Sequence, residues 1–289
     1  MKPAPFEYVT AGTVEEAVSA LADGGDMAKI LAGGQSLVPL LALRLARPDV
    51  LVDVNSVTGL DSIAVEDGTL RIGALARHRA VERDAAVADR FPIVSEAVSK
   101  IGHVAIRNRG TVGGSVAHAD PAAEWPTVLL ALDGEVEVAS RAGRRVVPAE
   151  ELFVSYLTTS LSWDEMLCEI RLKQPPGTCG SSFLELARRD GDFAMVGVAA
   201  VLGFTSGEVT HCRIALSGVG STPVRARAAE ASLVGTAADA EAIGAAAATV
   251  SEEIEPSGDI HGSADYRRKV ASVLTRRALD AARAAIEGR

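Results

Sequence analysis

Residues 106–126 read IRNRGTVGGSVAHADPAAEWP, and residues 31–41 read LAGGQSLVPLL. Each stretch sets a Gly-Gly pair close to a Ser: Gly33-Gly34 with Ser36, and Gly113-Gly114 with Ser115. Each pair lies between apolar segments and precedes residues with helical character. Consecutive glycines permit positive φ and carry no Cβ, so an anion can come close to main-chain N–H groups. A helix start behind the turn adds further N–H donors and a favourable dipole. Ser36, Thr111 and Ser115 add hydroxyl groups. One such turn is punctuation, whereas two of the same local grammar point to a single ligand with a diphosphate held between two arms. Neither is a standard nucleotide fingerprint. No GxxxxGK motif aims a Lys at a terminal phosphate, and no GxGxxG opens the first helix, so a Rossmann pyrophosphate site is unsupported. Plain tight turns remain the competing reading of either loop alone.

Outward from the loops, the pattern alternates before it segregates. TVEEAVSALA (13–22) has Thr13 as N-cap and Glu16 three residues on, a capping box. AKILA (28–32) and DVLVDV (49–54) are strand-like, and Ser36 is an N-cap candidate for a helix over 37–46. SIAVEDGTLRIGA (62–74) is a hairpin about Asp67-Gly68. Residues 77–101 are mostly helical and are interrupted at Phe91-Pro92. Asp120-Pro121 starts a helix that runs to Ala131, with Asp120 as cap and Pro121 in its first position. A second hairpin and a short helix fill 135–153, and a strand over 165–175 ends at Pro175-Pro176. Beyond it, SSFLELARR, MVGVAAVLGF and VTHCRIALSGVG form three antiparallel strands, followed by Ala-rich helical segments and a final helix over 264–286. Strands first and helices after mark an α+β lobe.

Composition narrows the function. A chain of 289 residues is long enough for two or three lobes. Its net charge of −9 opposes a phosphate backbone, so nucleic acid is a poor partner. The N-terminus has no signal-peptide pattern and no apolar run is long enough to span a bilayer, so a cytoplasmic protein is expected. Cys168, Cys179 and Cys212 are too few for a four-Cys cluster, and the five His form no HExxH pair, so no metal is assigned. No nucleophile–base pair or paired carboxylates stand out, so the chemistry falls to a cofactor.

Four segments together carry a family resemblance: AGGQSLVPLLALRLARPDVLVDVN (32–55), IRNRGTVGGSVAHADPAAEWP (106–126), LARRDGDFAMVGVAA (186–200) and DIHGSADYRRKVASVLTRRAL (259–279). The chain resembles, over essentially its whole length, the FAD-binding medium subunit of the molybdenum hydroxylases, the group of aerobic carbon monoxide dehydrogenase and xanthine dehydrogenase flavoproteins. The resemblance implies an α+β architecture. A non-Rossmann, two-subdomain FAD-binding fold occupies 1–55 and 56–176. An α+β C-terminal lobe, with a three-stranded antiparallel sheet and helices, occupies 177–289.

The resemblance also implies a cofactor site. The two loops would pinch the FAD pyrophosphate, through Ala32, Gly33, Gly34, Gln35 and Ser36 on one side and Thr111, Val112, Gly113, Gly114 and Ser115 on the other. Ser115 stands where many relatives have Asn, and Glu124 where they often have Asp. Asp120 would bond the cofactor, a role compatible with capping. Asp192 would accept from the flavin N3–H, with Phe193 an apolar surface beside the ring. Lys173 would reach the flavin's polar end, or lie solvated at a strand end. Arg107, Asn108, Arg109, His103 and His118 are read as structural or charge-balancing, and the basic final helix as a solvated face or a docking surface for an acidic partner.

The implied function is an FAD-binding electron-transfer subunit of a hydroxylase. A separate large subunit would hold molybdenum-pterin, and a separate small subunit two 2Fe–2S clusters, as a dimer of heterotrimers. Electrons would pass from those clusters through FAD to an external acceptor. Gln35, where carbon monoxide enzymes often have His, leans the substrate towards a heterocycle or aldehyde. A stand-alone flavin oxidase or reductase and a non-catalytic scaffold are the alternatives.

Overall fold

A computed structural model describes residues 2–287. The N-terminal segment builds a three-stranded parallel sheet in the order Glu7–Thr10, Val50–Asp53, Ala28–Leu31. Helix Val14–Gly24 covers it, burying Val14, Ala17, Val18 and Leu21. Thr13 caps the helix as the spacing predicts, its Oγ1 accepting from Glu16 N at 3.1 Å, while Glu16 Oε2 reaches one residue past the cap and accepts from Gly12 N at 2.7 Å.

The helix after the first glycine turn is shorter than expected, Leu37–Ala42. Arg44 adopts φ 58°, and the N–H groups of Leu45 and Ala46 fold back onto the Leu40 carbonyl, which closes the helix end. Ser36 stands at the N-cap position and its carbonyl accepts from Leu40 N at 3.2 Å, but it has helical φ and ψ and its side chain makes no capping bond.

The second sheet is antiparallel, in the order Ile63–Glu66, Thr69–Gly73, Met166–Lys173, Glu135–Ser140, Gly143–Pro148. Asp67 and Gly68 both have positive φ, the two-residue turn that an Asp-Gly pair favours. The helical stretch 77–101 divides into His78–Arg83, Ala85–Arg90 and Pro92–Lys100. Asp84 restarts the chain by accepting from Ala86 N and Val87 N, and Pro92 opens the third piece. Helix Glu124–Ala131 is buried on every side and places Trp125 and Leu129 at the centre of the core.

The third sheet has three long antiparallel strands, Thr178–Ala187, Ala194–Thr205 and Glu208–Ser217, and a two-residue fourth, Val224–Arg225. Both of its faces are covered. Val196, Val198, Ala200 and Leu202 share one core with the final helix, Ala264–Glu287, through Ala271, Ala278 and Ala282. Ala199, Val201 and Phe183 instead join the core around Trp125. No helix among the described residues is long and apolar enough to cross a membrane.

Candidate functional site

The first glycine turn follows strand Ala28–Leu31 at the sheet edge. Gly34 has φ 71°, a conformation that favours glycine. Gln35 Nε2 donates to the Gly33 carbonyl at 3.1 Å, and the Gly34 carbonyl accepts from Val38 N at 3.0 Å. Among the described residues, the N–H groups of Gly33, Gly34, Gln35 and Ser36 reach no protein acceptor. Gln35 and Ser36 are exposed. The turn therefore offers a run of adjacent unpaired donors of the kind an anion occupies.

The second stretch has a different construction from the first, although its sequence resembles it. It is no loop: Val112–His118 is a helix, with Thr111 as N-cap. Its leading N–H groups are already engaged. Val112 N donates to Ala76 O at 3.0 Å, Gly113 N to Ala74 O at 2.9 Å, Gly114 N to Thr111 Oγ1 at 3.2 Å and Ser115 N to Thr111 O at 3.0 Å. Gly113 is required by packing, since a Cβ there would lie 2.5 Å from Ala74 Cβ. Gly114 is exposed and Ser115 half-buried, so the free surface of this arm is the Gly114 backbone and the Ser115 hydroxyl.

The two arms touch. A Cβ on Gly33 would lie 2.8 Å from Gly110 Cα and closer still to the Arg109 carbonyl oxygen. A chain of hydrogen bonds sets their spacing. Asn55 Nδ2 donates to Ala32 O at 2.9 Å and to Asp53 Oδ1 at 2.6 Å, Arg77 Nη2 donates to Asn55 Oδ1 at 2.7 Å, and Arg77 Nη1 donates to Arg109 O. Sequence reasoning did not single out Asn55 or Arg77. The one available signal was a polar residue directly after the buried strand run DVLVDV.

His78 lies beneath the second arm. Its Nδ1 accepts from Trp125 Nε1 at 3.1 Å, which leaves the proton of the neutral ring on Nε2. Burial first, then the nearby Arg107 and Arg77 charges, push its pKa down to about 4, so the ring stays neutral. A Cβ on Gly110 would lie 2.8 Å from His78 Cδ2, so the imidazole forms the floor of this arm.

A cleft of about 1150 Å³ opens just past the end of helix Val112–His118, lined by Asp120, Pro121, Arg188, Asp192, Phe193 and Gly218 among others. Asp120 and Asp192, far apart in sequence, thus face one space. Asp120 does not cap the next helix, whose N-cap is Ala123; its Oδ1 accepts from Ala122 N at 2.9 Å in a local turn. The turn carrying Asp192 rests on the segment before the second arm, because a Cβ on Gly191 would lie 2.7 Å from His103 Nδ1. Phe193 is 69% exposed, an aromatic surface open to a planar ligand.

Two singled-out residues stand apart. Glu124 is buried, is not among the residues lining the cleft, and has its carboxyl pushed up to about 8 by burial and then by the Glu185 and Asp120 charges. Lys173 is exposed opposite Thr69, at the far end of its strand from Cys168, whose carbonyl accepts from Ala74 N beside the second arm. The structure does not bring Lys173 to the arms. Arg107 is committed elsewhere: its Nε meets Glu82 Oε2 at 2.9 Å, and its Nη1 donates to the Ile101 and Gly102 carbonyls. In the basic final helix, Arg267 is buried, pairing with Asp259 at 2.7 Å and donating to Gly218 O at 3.1 Å.

The donor set fits a diphosphate on the first arm and a planar ring in the cleft. Comparison with known proteins identifies the family. Residues 4–175 match a family described as FAD binding domain in molybdopterin dehydrogenase, and residues 181–282 one described as CO dehydrogenase flavoprotein C-terminal domain. The 6-hydroxypseudooxynicotine dehydrogenase complex subunit alpha of Paenarthrobacter nicotinovorans is 45% identical over 96% of this chain and 95% of its own. Among solved structures, a carbon monoxide dehydrogenase from Hydrogenophaga pseudoflava superposes with a TM-score of 0.95 at 39% identity, over 98% of this chain and 99% of that one. Quinoline 2-oxidoreductase from Pseudomonas putida 86 superposes with a TM-score of 0.93 at 39% identity, over 99% of this chain and 100% of that one. With one family model across more than half its length and such relatives across nearly all of it, the chain belongs to the flavoprotein subunits of the molybdenum hydroxylase family.

Proposed function

We propose that the chain holds FAD at the junction of its two arms and works as the electron-transfer subunit of a multi-subunit hydroxylase. The observation that carries this reading is the run of unpaired N–H groups at Gly33, Gly34, Gln35 and Ser36, held against the second arm. The pyrophosphate would sit on those donors, with Ser115 and the Gly114 backbone closing over it. In the cleft, Asp192 would accept from the ring's pyrimidine N–H, Phe193 would shield one ring surface, and Asp120 would bond the cofactor from the opposite wall. Segments 1–55 and 56–176 would supply the two arms, and 177–289 the ring-side wall. FAD, once bound, takes electrons singly and releases them in pairs. The chain's own part is to orient the ring and limit its contact with water.

Partner subunits complete the function. A large molybdenum-pterin subunit would carry out the hydroxylation, and a small subunit with 2Fe–2S clusters would pass electrons to this chain, as a cytoplasmic dimer of heterotrimers. The names of the relatives, a 6-hydroxypseudooxynicotine dehydrogenase and a quinoline oxidoreductase among them, support a nitrogen heterocycle as the substrate of the complex, in line with Gln35 in the first arm.

The test is the absorption spectrum of the purified chain, with the chromophore identified after denaturation. Released FAD without an iron–sulfur signal is the expected result. A colourless chain that takes up no added FAD, even with candidate partner subunits present, would sink this reading.

A further inference from the structure

Behind the cleft lies a polar cluster with no part in the function proposed above. Glu185, Gly197 and Ser217 face one another across three adjacent strands, Thr178–Ala187, Ala194–Thr205 and Glu208–Ser217. A Cβ on Gly197 would strike Ser217 Oγ and lie 3.8 Å from Glu185 Cβ, so the Ser217 hydroxyl overhangs Gly197 in the middle of the row. Ser217 is 0% exposed and its hydroxyl has no partner; Glu185 Oε2 is likewise buried without one.

Helix Glu124–Ala131 packs over these strands, and Gly218 N donates to Pro121 O at 2.8 Å, which seats the start of that helix above Ser217. Glu124, 8% exposed, stands in this first turn, four residues after Asp120 of the cleft. Among the described residues, neither Glu124 nor Glu185 has an ion-pair partner at salt-bridge distance.

Glu124 is buried with its own backbone N–H as partner, and Glu185 is half-buried with Oε2 sealed off and unpartnered; the charge of each disfavours ionisation of the other. The charged groups around them do not remove the conflict. Asp120 and Asp190 add negative charge. Glu96, on helix Pro92–Lys100, is occupied by Phe183 N at 2.7 Å. Lys100 on the same helix favours ionised Glu185, yet burial dominates and raises that carboxyl to about 7. Arg267 is bound to Asp259 and the Gly218 carbonyl.

We propose that Glu124, Glu185 and Ser217 form a buried proton-holding site that carries one proton at neutral pH and takes up a second when the cofactor beside Asp120 is reduced. The carboxyl O–H bond is the one bond that this chain's residues form in the step; the reduced ring takes up a separate proton of its own. The proton is taken from solvent on reduction and returned on reoxidation, while the two electrons come from the reduced iron–sulfur partner or from an electrode. Negative charge arriving beside Asp120 raises the proton affinity of the pair, and the proton offsets that charge. The coupling to reduction rests on the FAD reading; the resting proton does not.

Infrared spectroscopy of the chain without cofactor tests the first half. A protonated carboxyl C=O band is expected at pH 7, absent from the Glu124→Gln/Glu185→Gln double variant. Each single variant retains one carboxyl. In Glu185→Gln the remaining band should titrate at a pH lower by about one unit or more, because a like charge has gone. A wild-type spectrum with no such band, or one unchanged in every variant, overturns the site.

The second half is read from the midpoint potential of bound flavin against pH, measured electrochemically. Between pH 6 and 8 the wild type should take up close to two protons per electron pair, and Glu185→Gln about one. Equal slopes would overturn the coupling. Failure of the chain to bind flavin would overturn the coupling together with the FAD reading, and the infrared band would still decide the proton-holding site.

Discussion

Gly33→Ala is the sharpest perturbation of the two-arm geometry. The new methyl group would lie 2.8 Å from Gly110 Cα and even nearer the Arg109 carbonyl oxygen. Carbon atoms in contact sit about 3.5–4.0 Å apart, so the arms must separate by roughly 1 Å. Both neighbours are backbone, and the Arg109 carbonyl is also held by Arg77, so little can yield locally. Overpacking of this kind costs roughly 1–3 kcal/mol of stability. The larger effect falls on the ligand. A hydrogen bond to a charged group contributes about 1.5–3 kcal/mol, and a shift of that size breaks one or two of them. FAD should therefore bind about 100-fold more weakly, corresponding to roughly 3 kcal/mol. Fluorescence titration of apoprotein with FAD measures this, with thermal unfolding run alongside. Gly244→Ala, in open space on helix Ala240–Thr249, is the control and should bind as the wild type does. A folded Gly33→Ala variant with a Kd within about twofold of wild type would refute the claim that the arms jointly form the site.

Three other outcomes are expected. Thr111→Ala removes the hydroxyl that accepts from Gly114 N, so stability should fall by about 1 kcal/mol and Tm by a few degrees in calorimetry. Glu124 favours its neutral form in the fold, with a pKa raised from 4.5 to about 8, so its contribution to stability is complete below pH 4.5 and is lost as pH rises through 8. At about 1.4 kcal/mol per unit the loss is on the order of 5 kcal/mol, and denaturant unfolding at pH 5 and pH 9 should show the difference shrink in Glu124→Gln. Burial pushes the Cys168 thiol up to about 11 and Cys212 to about 12, so mass spectrometry after alkylation of the native chain at pH 8 should find neither modified, whereas the unfolded chain labels at all three cysteines.

What the sequence revealed followed how local each interaction is. Thr13 and Glu16 bond within one turn, and Asp67-Gly68 closes its own hairpin, so both are readable from a few residues. The first glycine turn is equally local, since its chemistry is its own backbone. The second stretch misleads because its N–H groups are taken by Ala74 and Ala76, which lie more than thirty residues upstream. Ser36 has the residue type of a cap and lacks the extended backbone that a cap requires. Asn55 is fixed locally by Asp53, but its bond to Ala32, like the contacts that Arg77 and His78 make, joins residues distant in sequence, so the bridge between the arms is not readable beside them on the chain. Glu124 lies in the segment that the resemblance ties to the cofactor, whereas its burial against the third sheet depends on strands that follow it much further along the chain.

The bond chain from Ala32 through Asn55 and Arg77 to Arg109 has a further consequence. Every link in it is protein to protein, so the gap between the arms is fixed when the chain folds, before any ligand arrives. The conformational entropy of ordering both arms is then borne by folding, and association has little left to order. Such a mould can be emptied and refilled without remaking its walls, which suits a subunit that must accept its cofactor either before or after joining its partners.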